Sequence, residues 1–167
     1  MIGEITSLHP VFRFAVERIL TDMRTRGWDP VIGSGMRTYE QQDALYAQGR
    51  RPLNDVNALR RAAGLPPITA ADNAHTVTNA RGGQSNHNRI ESMVPHGRAA
   101  VDITLGYAVD IVDRRNGWNI PDQRFWTDLG DLAKKHGCSW GGDWRNPDRA
   151  HVEMKIIDSA PRTAFAV

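Results

Sequence analysis

His87, Asp110 and His151 are the residue types that can share one divalent metal ion. Asp110 lies inside the apolar run Tyr107-Ala-Val-Asp-Ile-Val112. A carboxylate buried there is costly unless it is paired or bound to a metal. His87 stands in the polar run Ser85-Asn-His-Asn88, just after Gly82 and Gly83, and His151 in Asp148-Arg-Ala-His-Val-Glu153. Two imidazoles and a carboxylate fill three places of a tetrahedral zinc site and leave the fourth to water. Such an ion lowers the pKa of its water to about 7 and polarises a carbonyl. Taken singly, each residue has a plainer explanation, as a surface histidine or a turn aspartate. The combination points to a metal, and the same donors also admit other first-row ions.

Four other features could serve such a centre, and each has a structural alternative. Asp148 could act as a general base three residues before His151; after Pro147 its spacing suits a simple turn better. Glu153 shares a strand face with His151, as a competing base or as a carboxylate orienting the imidazole. Arg37, in Ser34-Gly-Met-Arg-Thr-Tyr39, offers a donor fork for a carboxylate, or is a surface arginine. Trp140-Gly-Gly-Asp-Trp144 combines glycines that admit a ligand with an aromatic wall, or marks the edge of the core. The single Cys138, entering an apolar strand, reads as packing, and it rules out an internal disulfide.

These residues need elements to hold them. Residues 7–27 read as an amphipathic helix, with Ser7 as cap and Pro10 in the first turn. Val11, Phe12, Ala15, Val16, Ile19, Leu20 and Met23 form its apolar stripe. A short strand from Pro30 breaks into a glycine turn, and helices follow over 39–48 and 55–63. Residues 65–86 read as a long loop, and such loops are often functional. A buried strand is expected over 107–112, a helix over 122–136 with Phe125, Trp126, Leu129, Leu132 and Ala133 inward, and a short strand over 138–140. The last strand, 150–157, alternates: His151, Glu153 and Lys155 on one face, Val152, Met154 and Ile156 on the other.

The bulk composition excludes several classes. The chain has 167 residues, 40% apolar and 24% charged, which suits one ordinary globular domain. A formal net charge of +2 favours approach to an anionic surface but is too small to argue for nucleic acid. No apolar run reaches membrane-spanning length. The first residues lack a basic region followed by an apolar one, so no secretory signal is expected.

Several phrases together resemble the M15 zinc peptidases, the group of D-Ala-D-Ala peptidases and phage L-alanyl-D-glutamate endopeptidases. They are Ser85-Asn-His87-Asn, Gly106-Tyr-Ala108-Val-Asp110 and Asp148-Arg-Ala-His151-Val-Glu153. Leu8-His-Pro-Val-Phe12, Ser34-Gly-Met-Arg37-Thr-Tyr-Glu-Gln-Gln42, Asp43-Ala-Leu-Tyr-Ala-Gln-Gly-Arg50, Val77-Thr-Asn-Ala80 and Trp140-Gly-Gly-Asp-Trp144 extend the resemblance to the branch found in phage endolysins. The resemblance implies an α+β fold: one compact domain, a small and largely antiparallel sheet carrying the zinc site, and helices around it. It implies one Zn²⁺ on His87, Asp110 and His151, with Asp148 as general base. Arg37 is then a substrate and transition-state contact, Tyr39 and Trp144 substrate-binding residues, and Glu153 a carboxylate behind the ligands. The expected substrate is the stem peptide of bacterial peptidoglycan, cut at the L-Ala–D-Glu bond. A D-Ala-D-Ala carboxypeptidase and a non-catalytic zinc-stabilised wall-binding or virion module are the alternatives. A monomer is expected, made in the cytoplasm of a phage-infected bacterium and acting on the wall after release.

The chain departs from the family's phrase in one place. Residues 89–105 separate His87 from Asp110 where the family has a short fixed spacing, and they contain their own His96 and Asp102. The glycine of Gly106-x-Ala108-x-Asp110 favours His87 and Asp110 over that pair, and makes 89–105 an insertion loop beside the site, expected as a lid or groove wall.

Overall fold

A computed structural model of the chain describes residues 5–93 and 101–155. The first helix, α1 (Pro10–Thr25), begins later than a cap at Ser7 implies, because residues 5–7 form a separate 3-10 turn. Pro10 occupies the first helical turn, where its fixed φ and missing N–H suit it, and His9 takes the cap position without a side-chain hydrogen bond. Ser7 does not cap the helix. The backbone before it is used elsewhere: Gly106 N donates to Ser7 O (3.1 Å) and His9 N to Gly106 O (3.0 Å). Val11, expected inward, is 64% exposed, while Phe12, Val16, Ile19, Leu20 and Met23 are buried.

The strand β1 (Pro30–Ser34) leads through the turn to α2 (Tyr39–Ala47), which starts with a reciprocal Thr38–Gln41 capping box. The helix α3 (Leu53–Ala62) packs on α2. The chain from 63 to 85 is then irregular apart from one 3-10 turn at Asp72–Ala74, as its Pro, Asn and Gly content suggests. Next come β2 (Arg89–Met93), β3 (Val101–Leu105), β4 (Ala108–Asp113), α4 (Gln123–Lys135), β5 (Cys138–Trp140) and β6 (His151–Met154).

Segment 89–105 is not an irregular loop at its ends. β2 and β3 pair antiparallel, from Arg89 opposite Leu105 to Met93 opposite Val101. Asp102 pairs through its backbone with Ser92, and His96 lies outside the described residues. The other four strands form one antiparallel sheet in the order β1-β4-β6-β5. β4, with both neighbours paired, is buried along its length.

The sheet has two unlike faces. Val109, Ile111 and Val152 join Phe12, Val16 and Ile19 of α1 and Phe125, Leu129 and Leu132 of α4 in one core, together with the expected Trp126, Ala133 and Cys138. By strand alternation Asp110 and His151 point the opposite way. They face each other across the β4–β6 ladder, and Ser34 pairs with Asp110 from the β1 side. Three polar side chains therefore lie in a row across three strands.

The end of β4 carries an unusual anchor. Asp113 is fully buried and accepts hydrogen bonds from Arg115 Nη2 (2.7 Å), Nε (2.9 Å) and backbone N (2.9 Å), and from Asp29 N (3.1 Å). Those bonds, Arg115 foremost, outweigh the desolvation and hold its carboxyl at about 2. A carboxyl depressed in the folded state stabilises above its unfolded pKa, and that contribution is lost as pH falls through the folded value. The stability advantage of the wild type over Asp113→Asn should therefore be full at pH 5 and shrink towards pH 2, read from urea unfolding. A pH-independent difference would refute this. In the core, Leu129→Ala, at a fully buried position, should cost about 2–5 kcal/mol by the same measurement.

Candidate metal centre

The three donors arrive by two local devices. Asp110 and His151 sit on neighbouring strands. His87 sits in the 3-10 turn Asn86–Asn88, where Ser85 Oγ accepts from its backbone N–H. Two backbone bonds fix that turn: Tyr107 N donates to Asn86 O (2.7 Å) and Arg37 N to His87 O (2.9 Å). His87, Asp110 and His151 are all buried, and one ligand atom from each lies within 4.8 Å of the other two. Among the described residues no other group of three histidine, cysteine or carboxylate side chains converges in this way.

The hydrogen bonds around the group fix which atoms face it. His87 Nδ1–H donates to the Gly35 carbonyl oxygen at 2.7 Å, so Nε2 turns to Asp110 Oδ1, 3.5 Å away. His151 Nε2–H donates to Glu153 Oε2 at 3.1 Å, so Nδ1 turns to the same Asp110 oxygen, 3.3 Å away. Glu153 is itself steadied by Asn86 Nδ2 (2.9 Å). Arg37 takes the other oxygen: Nη2 donates to Asp110 Oδ2 at 2.7 Å, Nε to Ser34 Oγ at 2.9 Å and Nη1 to Gln42 Oε1 at 3.1 Å. Three of its five N–H donors are used in this way.

The electrostatics follow from these contacts. Burial disfavours the Asp110 carboxylate, but His151, His87 and Arg37 outweigh it and hold the group far below the usual carboxylate range. Burial lowers His87, which stays neutral against the pull of Asp110. Burial also lowers His151, yet hydrogen bonds to Asp110 and Glu153 prevail and raise it to about 9. Hydrogen bonding from His151, followed by Asn86, lowers Glu153 despite its partial burial. Asp148 moves the other way. Although the residue is exposed overall, desolvation of its carboxyl first and the charge of Asp110 second push it up, against His151, His87 and Arg37.

Asp148 is carried on the exposed loop between β5 and β6 and is tied at both ends. Its N–H donates to Gly141 O (2.9 Å), and its carbonyl accepts from His151 N (3.2 Å). Gly141 is required for that approach, since a Cβ there would stand 2.5 Å from Asp148 O and 3.0 Å from His151 Cβ. Trp140 closes the loop by donating from Nε1 to Arg149 O (2.8 Å). Trp144 is 42% exposed and its ring centre lies 4.9 Å from that of His151. Tyr39 is at the margin, its backbone against Gly82 and its ring against Gly83, on the stretch leading to His87.

The donor set suits a metal ion. Two histidines whose outer nitrogens are held by acceptors aim their inner nitrogens at one carboxylate oxygen, an arrangement a cation completes. Residues 78–154 match a peptidase family model of the M15 group described as D-alanyl-D-alanine carboxypeptidase. Over 160 residues the chain is 28% identical to the peptidoglycan L-alanyl-D-glutamate endopeptidase CwlK of Bacillus subtilis (strain 168), covering 89% of this chain and 74% of that one. Over residues 78–154 the chain is thus similar to the M15 peptidase family. The fold is also similar to that in the crystal structure of a vancomycin-resistance D,D-pentapeptidase, a VanY mutant from a VanB-type cassette in complex with Zn(II). The TM-score is 0.52 at 19% identity, over 88% of this chain and 72% of that chain.

Part of this site is not legible from residue type. The Gly35 carbonyl that orients His87 belongs to the backbone and leaves no side-chain signal. Ser34 and Gln42 lie inside a phrase the sequence singles out, yet their work is visible only in the contacts. Gln42 is fully buried in α2, accepts from Arg37, and donates to Ala80 O (2.8 Å) and Thr78 Oγ1 (3.1 Å). It joins the irregular 63–85 stretch to the site. Gln42→Leu would leave these partners unsatisfied and should lower unfolding free energy by about 1–3 kcal/mol in urea titration. A neutral effect would show that the bridge carries no load.

Proposed function

We propose that the chain is a zinc-dependent peptidase acting on the stem peptides of bacterial peptidoglycan, with the L-Ala–D-Glu bond as its target. The observation that carries the reading is the convergence of His87 Nε2 and His151 Nδ1 on Asp110 Oδ1, with a second carboxylate residue, Asp148, hydrogen-bonded through its backbone to His151. The similarity to CwlK over most of both chains supports the choice of bond. Zinc would be held by His87, Asp110 and His151. When bound, it supplies Lewis acidity that polarises a carbonyl and acidifies water at its open position.

The chain's own residues do the rest. Arg37 occupies Asp110 Oδ2 and so keeps Oδ1 turned to the two imidazoles. Glu153 fixes the His151 tautomer, and the Gly35 carbonyl fixes that of His87. Asp148 serves as general base, taking the proton of the attacking water and returning it to the departing amine. The two N–H groups that Arg37 keeps free are available to a substrate oxygen. Trp144 forms a wall beside His151. Bacterial wall is the place of action in this reading, reached after release in a lysin role. No helix among the described residues is long and apolar enough to cross a membrane.

The match to a D-alanyl-D-alanine carboxypeptidase model favours one second reading, removal of the terminal D-Ala. Products from purified sacculi separate the two. L-Ala–D-Glu cleavage frees stem peptides that begin with D-Glu, whereas carboxypeptidase action frees only D-Ala. Asp148→Ala should lower kcat by a factor of about 10²–10⁴ while metal content stays at the wild-type level. An unchanged kcat in that variant would contradict its assignment as base.

A further inference from the structure

The face of the sheet that carries the metal centre continues along β4 to the buried Val112. Val112 lies two residues from Asp110 on β4, on the same face and about 7 Å along the strand. Beside it, β1 has a bulge: Ile32 pairs with Ile111 and Ser34 with Asp110, and Gly33 is the extra residue. A Cβ built on Gly33 would stand 3.3 Å from Val112 Cγ2 and 3.0 Å from Trp118 Cζ2. The indole therefore lies on the bare backbone of Gly33, on the face that carries Asp110 and His151.

Trp118 is 62% exposed. It does not close the core, since Ile120 does so two residues later. Yet its turn is firmly built. Gly117 N and Asn116 N donate to Asp113 O (2.8 and 3.2 Å), Asn119 N to Asn116 O (3.2 Å) and Arg114 N to Asp29 O (2.8 Å). The buried Asp113 carboxylate locks the base of that turn. A large, exposed aromatic ring is thus carried on a firmly hydrogen-bonded turn, which is preorganisation for a ligand.

We infer that Trp118 is a substrate-binding platform for a pyranose ring of the glycan strand that carries the stem peptide. The inference rests on the peptidoglycan reading above. The stem peptide is polar and rich in carboxylates, and offers little for an indole face to match. The amino sugars present flat C–H faces, which suit an amphipathic aromatic ring. Trp118 sits over Gly33 next to Val112, two residues from Asp110 along β4, so a sugar on it would neighbour a stem peptide bound at the metal centre.

The test compares two substrates on the full chain: a disaccharide-linked stem peptide, and the same peptide stripped of its sugars. Trp118→Ala should raise KM on the sugar-linked substrate by roughly fivefold to tenfold, the scale of one aromatic face contact. kcat should hold, and the bare peptide should be cut as by wild type. Trp118→Phe, which keeps a ring, should recover most of the loss. The bare-peptide rate reports folding of each variant. Equal losses on both substrates, or no loss on either, would overturn the inference while leaving the peptidase reading intact. A wild type that cuts neither substrate would overturn both.

Discussion

The division of labour between the two oxygens of Asp110 is the constraint on which the rest of the site depends. A carboxylate at 5% exposure is tolerable only if its charge is met from both sides. Arg37 meets Oδ2, and the two imidazoles face Oδ1. Ser34 and Gln42 hold the guanidinium in that pose. Removing any one of these contacts would leave a buried charge or donor unsatisfied, so the ligand geometry and the local stability are the same set of bonds.

The sheet makes this arrangement possible at little cost to the core. One face of β4 and β6 gives Val109, Ile111 and Val152 to the packing against α1 and α4. The other presents Asp110 and His151 in direct register. A one-residue slip would exchange the two faces, so the apolar core sets the register that aligns the donors. His87 is the exception, since it comes from a turn and is positioned by Asn86, Tyr107, Arg37 and Gly35 rather than by a ladder. That turn lies at the base of the β2–β3 ribbon, between Asn88 and Arg89 on one side and Leu105 and Gly106 on the other.

Much of this was legible in the sequence, for identifiable reasons. A lone Asp110 in a β-branched apolar run announces its own burial, and the alternation from His151 to Glu153 announces a shared face. The inward residues of α4 follow from helical periodicity alone. The start of α1 was misplaced because Ser7 is an equally good cap on residue type, and only its backbone pairing with Gly106 decides against it. Val11 fits the stripe by spacing but lies at the exposed N-terminal end of the helix. Arg37 read as a surface group or a substrate clamp, whereas its structural partner, Asp110, is far away in sequence. Residue types also gave no sign of Asp113, which only a buried hydrogen-bond set makes special.

The central claim is that His87, Asp110 and His151 hold the metal. It is tested most directly by metal content per chain in purified wild type, His87→Ala and His96→Ala, measured by mass spectrometry after dialysis against a weak chelator. The account predicts one zinc in the wild type and in His96→Ala, and its loss in His87→Ala. Loss in His96→Ala with retention in His87→Ala would contradict the assignment and move the site to His96 and Asp102.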